Sequence, residues 1–170
     1  MKKYEFTGET IEKFGVTLQR IRALKDVKQG NNVIAIKGET GGWIAEEKNL
    51  SQDGYAWVSG NARVYGDAWV SGNARVSGNA WVYGDARVSG NAQIIKPTDI
   101  LTVGPIGSRD ATTTFFRDKS GGISVVCGCF LGTLSEFAEK VTATHGDSKH
   151  AKAYRAAVEL AKVQMEEGQK

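Results

Sequence analysis

Residues 58 to 92 read VSGNARVYGDAWVSGNARVSGNAWVYGDARVSGNA, a six-residue unit in which Val, Gly and Ala hold their places while Arg and Trp alternate. The aliphatic position recurs at Val58, Val64, Val70, Val76, Val82, Val88 and Ile94, and Pro97 ends the series. A strand would repeat every two residues and a helix every 3.6, so period six fits neither. Each unit also carries Gly followed by Asn or Asp, as at Gly60-Asn61 and Gly66-Asp67. That pair tolerates left-handed backbone angles and marks a corner. One hexad is therefore a short strand plus a turn.

With an inward aliphatic residue and a small Ala four positions later, residues 42 to 94 resemble the hexapeptide repeat of left-handed parallel β-helices. The resemblance implies three hexads per triangular coil. Ile44, Leu50 and Val58 then form the first coil, a two-residue insertion delaying Val58. Val64, Val70 and Val76 form the second, and Val82, Val88 and Ile94 the third. Because three is odd, alternation over two hexads sets Arg against Trp on successive coils. The expected stacks are Trp43-Arg63-Trp81, Asn49-Trp69-Arg87 and Trp57-Arg75-Gln93. Guanidinium groups lying on indoles contribute roughly 0.5–1 kcal/mol per exposed pair. One face adds Tyr65 above Tyr83 to Trp43, Arg63 and Trp81, and reads as either a subunit contact or a ligand platform. Three coils are few for a solenoid, and both ends need caps. Proteins of this architecture commonly form trimers, so a homotrimer is expected.

The flanks follow other rules. KYEFTGET and VTLQRIRAL alternate apolar with polar around Lys13 to Gly15, predicting a hairpin over residues 3 to 27, and the stretch after it looks irregular. Beyond Pro97, DILTVGPIG, TTTFFRD and GGISVVCGCF read as short strands. TLSE at 133 to 136 is a capping box that opens a helix with a stripe at Leu134, Phe137, Ala138 and Val141. A second helix, starting near Asp147 or Ser148, presents Ala151, Tyr154, Val158, Ala161 and Met165 on one face. The expected fold is mainly β: a short left-handed parallel β-helix of about three coils, an N-terminal β-hairpin and a C-terminal α+β unit with two helices. The expected boundaries are 1–40 for the N-terminal cap, 41–96 for the repeat and 97–170 for the α+β domain.

The chain has 170 residues and a net charge of +3, which slightly favours anionic partners but is too small to imply a nucleic-acid binder. No apolar run reaches membrane-spanning length, and MKKYEFTGET lacks the apolar region of a signal peptide. A cytoplasmic location is expected, with Cys127 and Cys129 reduced.

The search for chemistry mostly excludes. Acyltransferases with this repeat use a His on the prism, yet both histidines, His145 and His150, lie beyond it. Hexapeptide-type carbonic anhydrases need three His ligands for zinc. A Cys127, Cys129, His145, His150 zinc set departs from common spacings, and VVCGCFL reads as a strand with both Cys turned inward. No metal, cofactor or catalytic residue is assigned. The loop at 103 to 114 is the candidate ligand site. There Gly104 and Gly107 would let backbone N–H groups approach an anion, Ser108, Arg109 and Thr113 would donate, and Arg117 would follow on the next strand. A plain structural turn with an exposed Arg remains the alternative.

Gly41-Gly42-Trp43-Ile44, Asn49-Leu50-Ser51 and the hexads from Val58 to Ile94 together resemble small proteins encoded by phages and prophages. The GPIGSR, CGCF and HGD segments look like C-terminal domains from the same source. The resemblance implies a phage protein made inside a bacterial host cell. Some oligomers of this kind sequester nucleotide second messengers of host immunity. The expected function is thus a non-enzymatic, oligomeric binder of a small anionic ligand such as a cyclic nucleotide or ADP-ribose derivative. A scaffold or protein inhibitor acting through the C-terminal helices is the alternative, followed by an enzyme of unrecognised type.

Overall fold

The N-terminal alternation forms β1 (Tyr4–Lys13) and β2 (Val16–Ala23), an antiparallel hairpin turning at Phe14 and Gly15, both with positive φ. This is a computed structural model, and it describes residues 1–166. The stretch expected to be irregular is partly ordered as strand. β3 (Val27–Gln29) and β4 (Asn32–Ala35) make a second small hairpin around Gly30, and β5 (Thr40–Ile44) pairs antiparallel with β2. Short strands with a tight Gly turn carry too few residues for their alternation to stand out in sequence.

Each regular hexad then supplies one two-residue strand: β6 (Trp57–Val58), β7 (Arg63–Val64), β8 (Trp69–Val70), β9 (Arg75–Val76), β10 (Trp81–Val82), β11 (Arg87–Val88) and β12 (Gln93–Ile94). They assemble into three parallel ladders. β5, β7 and β10 form one, joined by β1 and β2 at its edge, while β6, β9 and β12 form another. The third joins β8 to β11 and reaches Leu50 through a bridge to Val70. Trp57 pairs with Arg75 and Arg75 with Gln93, so the chain returns to the same ladder after three hexads.

The inward positions make the core. Ile44, Leu50, Val58, Val64, Val70, Val76, Val82, Val88 and Ile94 are all fully buried, as are the intervening alanines from Ala56 to Ala92. Full burial of one Val contributes roughly 1.5–3 kcal/mol, so the aliphatic column drives the coiling. Gly60 (φ 61°) and Gly66 (φ 67°) turn the corners, in a backbone region that a side chain resists. Backbone N–H groups donate to the next coil, as from Trp57 to the Ala74 carbonyl and from Arg63 to the Ala80 carbonyl, both at 3.0 Å.

The insertion in the first coil falls at Gln52–Gly54, because Ser51 still donates to Val70 while Tyr55 donates to Gly72. The N-terminal strand holds this wider corner in place. Gln52 Oε1 accepts from the Lys3 N–H at 2.7 Å, and Lys3 Nζ donates to the carbonyls of Asp53 (3.3 Å) and Ala56 (2.8 Å). Tyr4 donates its hydroxyl to the Leu50 carbonyl at 2.7 Å.

From Thr98 onward the chain forms a second compact unit, the first ending at Pro97. β13 (Ile100–Ile106), β14 (Ala111–Arg117), β15 (Ile123–Cys127) and β16 (Phe130–Thr133) form an antiparallel meander. α1 (Leu134–His145) begins at the expected capping box, where Thr133 accepts from the Glu136 N–H and Glu136 accepts in return. α2 (Lys149–Glu166) follows. Phe115 and Val125 from the sheet meet Phe137, Val141, Ala151, Tyr154, Val158, Ala161 and Met165 from the helices. The last four positions of the expected 97–170 domain lie outside the described residues.

VVCGCFL is two strands joined at Gly128 (φ 59°) and Cys129, so only Cys127 stays on a strand and Cys129 is exposed. The left-handed angle at Gly128 reverses the chain where simple alternation reads straight through it.

Candidate functional site

The turn between β13 and β14 and the neighbouring β15–β16 turn lie at one end of the meander, where α1 ends. Together they border a cavity of about 200 Å³. Its wall is mainly apolar, with Phe130, Phe137 and Val141, while Arg109, Lys140, Ser108 and His145 bring polar and charged groups. Cys127, Cys129 and Tyr154 also line it.

The deep polar group is a hydroxyl–thiol chain. Thr113 lies directly opposite Cys127 in the β14–β15 register, so both side chains share one face of the sheet. Thr113 Oγ1 donates to Cys127 Sγ at 3.4 Å, and the thiol contacts Tyr154 Oη at 3.7 Å. Burial, followed by the contact with Cys127, pushes the Tyr154 hydroxyl up to about 12, against a lowering influence from Arg109. Tyr154 therefore stays protonated across the physiological range. The His145 ring lies 5.7 Å from the Tyr154 ring and 6.0 Å from that of His150. Among the described residues, no group of three or more His, Cys, Asp or Glu side chains is arranged to hold a metal ion.

The residues singled out in the 103–117 loop separate. Ser108 and Arg109 border the cavity. Gly107 does not offer its backbone to a ligand; it is buried against Tyr154, whose hydroxyl fills the space that a Cβ would take. Gly104 is exposed but lies close against Thr112, a Cβ there standing 2.8 Å from Thr112 Cα. Thr113 is buried and directed at the thiol. Arg117 sits at the far end of β14, six residues and roughly 20 Å of strand from Ala111. There it pairs with the buried Asp99 at 3.4 Å and donates to the carbonyls of Gly121 and Met165. It fastens the sheet to the end of α2 and does not converge with Arg109.

Lys140, His145, Phe130 and Tyr154 were not read as site residues from the sequence. Only Tyr154 left a signal: a Tyr in an otherwise aliphatic helix stripe carries a hydroxyl that needs a partner once buried.

The aromatic face of the solenoid is partly covered by its own N-terminal hairpin. Arg20, paired with Trp43 in register, lies 4.9 Å from its indole, and Trp43 is buried. Arg63 lies over Trp81 at 5.7 Å, while Phe14 at the hairpin tip packs edge-on against Trp81 at 5.0 Å. Tyr65 and Tyr83 stack at 5.4 Å, 11° from parallel, with Tyr83 half exposed. Asn49 leaves its expected stack and turns inward, where its amide donates to the carbonyls of Gly66 and Ala68.

Residues 56–72, 68–84 and 80–94 each match the family model described as the YdcK beta-solenoid repeat. No curated protein matches the chain. Among the described residues, no helix is long and apolar enough to cross a membrane. The overlapping matches fall on the hexads whose parallel ladders close every three units, and residues 56–94 form a β-solenoid repeat.

Proposed function

We propose that this protein is a non-enzymatic binder that captures a small anionic ligand in the cavity of its C-terminal unit. The supporting observation is that Arg109 and Lys140 border a mainly apolar space containing Phe130 and Phe137. Two cations beside aromatic walls suit a ligand with a phosphate or carboxylate at one end and a ring at the other. A nucleotide signal fits that description, and its sequestration in a phage-infected bacterial cytoplasm is the biological setting we propose. The cavity volume matches a base or a ring acid better than an entire dinucleotide, so a larger ligand would extend past the rim.

The repeat serves as the frame. We take its coil as left-handed and its assembly as a homotrimer, with Tyr65 and Tyr83 at the contact between copies. Calorimetry against cyclic nucleotides and ADP-ribose derivatives tests the binding. Heat that disappears in Arg109→Ala and Lys140→Ala supports it, and absence of heat across the panel overturns it. Recovery of unaltered ligand after denaturation separates capture from turnover.

A second reading places a protein partner on the outer side of α2. It rests on Leu160 and Val163, three residues apart and both exposed. Stoichiometric retention of a bacterial protein in a pull-down would favour it.

A further inference from the structure

Cys127 is set into the cavity wall among hydroxyl groups and cations. Thr113 Oγ1 already directs its proton at the sulfur from 3.4 Å. Tyr154 Oη lies 3.7 Å from the same sulfur. The Arg109 guanidinium packs beside the next residue, with Nη1 3.4 Å from the place where a Cβ on Gly128 would stand. Lys140 borders the same space. Nucleophilic cysteines sit in electropositive, partly exposed surroundings of this kind. The cavity also selects for charge, since a cleft lined with cations raises the local concentration of anions. Cys129, two residues along, stands at the rim of the same cavity but is exposed to solvent and outside that hydrogen-bond chain, which makes it an internal reference for the deeper position.

We propose that the cavity is a covalent capture site in which Cys127 adds to small anionic electrophiles, α,β-unsaturated carboxylates above all. The ligand carboxylate would face Arg109 and Lys140, and its ring or chain would lie along Phe130 and Phe137. In the step itself, Sγ forms a bond to the β-carbon and the π pair of the C=C bond moves to the α-carbon. The α-carbon then takes up a proton equal to the one the thiol released. The adduct is the sum of thiol and acceptor, with nothing oxidised and nothing expelled. The site extends the anion-binding reading of the cavity and rests on it.

The experiment uses the full chain and two pairs of probes that differ in charge: monomethyl fumarate against dimethyl fumarate, and iodoacetate against iodoacetamide. Peptide mass spectrometry follows labelling of Cys127 and Cys129 separately over time. The expected result is an anionic-to-neutral rate ratio at Cys127 about tenfold or more above that at Cys129. That excess falls towards the Cys129 value in Arg109→Ala and Lys140→Ala, and in high salt. Tyr154→Phe slows all four probes at Cys127 without changing their ratio. Equal ratios at the two cysteines, or a Cys127 that stays unlabelled while Cys129 reacts, overturn the proposal. Nucleotide calorimetry on the unlabelled protein separates the two readings. Nucleotide heat with no charge preference at Cys127 removes the thiol site and leaves anion binding standing. Charge preference without nucleotide heat keeps the thiol site and removes nucleotides as the ligand class.

Discussion

Gly107 and Tyr154 occupy one another's space: the tyrosine hydroxyl lies where any side chain at 107 would begin. Gly107 also has φ 79°, in the left-handed region. Gly107→Ala therefore meets both a steric clash and backbone strain, and is expected to destabilise the C-terminal unit by about 2–4 kcal/mol. Denaturant unfolding of the variant measures this. Tyr154→Phe in the same background is expected to recover part of the loss, because it removes the atom that clashes first.

Asn49 is fully buried and satisfies three backbone groups, accepting from the Glu46 N–H at 2.8 Å and donating to the carbonyls of Gly66 (3.0 Å) and Ala68 (2.8 Å). Asn49→Ala leaves those groups without protein partners and is expected to cost about 2–4 kcal/mol. Asn49→Asp keeps the acceptor but loses both donors and places a carboxylate among carbonyls. It should be no better than Ala, and the midpoint of chemical unfolding is the check.

The first coil is expected to grow more stable as pH rises from about 7.5 to 9.5. Burial, with a smaller push from Lys25, lowers the Lys3 ammonium from 10.5 to about 8. Over that interval the unfolded chain holds a proton that the folded chain has released, so stability rises with pH, by about 1–2 kcal/mol. Tyr4 acts in the opposite sense and later. Burial, then Glu47, raises its hydroxyl, so above about pH 10 the unfolded chain ionises first and stability falls. Unfolding monitored across this range should show a maximum between the two limbs, and Lys3→Met should abolish the rising limb.

Tyr83→Ala separates the frame from its assembly. Tyr83 is half exposed and touches Tyr65 through one stacked face, so the variant should lose about 0.5–1.5 kcal/mol of monomer stability at most. If copies meet on this face, light scattering should nonetheless show the trimer dissociating. An unchanged oligomer places the contact elsewhere.

The parts of this protein that were legible in sequence are those set by local chemistry. Val at every sixth position and Gly-Asn or Gly-Asp between them define strand, corner and coil length within a few residues. The ladders from Trp57 to Gln93 and from Arg63 to Trp81 followed by counting alone. The Thr133 capping box and the stripe on α2 were legible for the same reason. Cys129 departs from the strand its sequence suggests because one left-handed residue, Gly128, reverses the chain within an apparently uniform apolar run. Arg117 looked like a ligand donor because a basic side chain in a Thr-rich strand carries no mark of Asp99, eighteen positions earlier.

By itself, then, the sequence determined the period of the coil, the residues facing its axis and the start of each C-terminal helix. These depend on neighbouring backbone angles and on a repeated burial pattern. Tertiary structure alone decided that Asn49 turns inward, that Phe14 reaches Trp81, and that Arg109, Lys140, Thr113, Cys127 and Tyr154 gather at one cavity. Those groups come from separate strands and helices, and their convergence is set by how the sheet and the two helices pack, which no local pattern encodes.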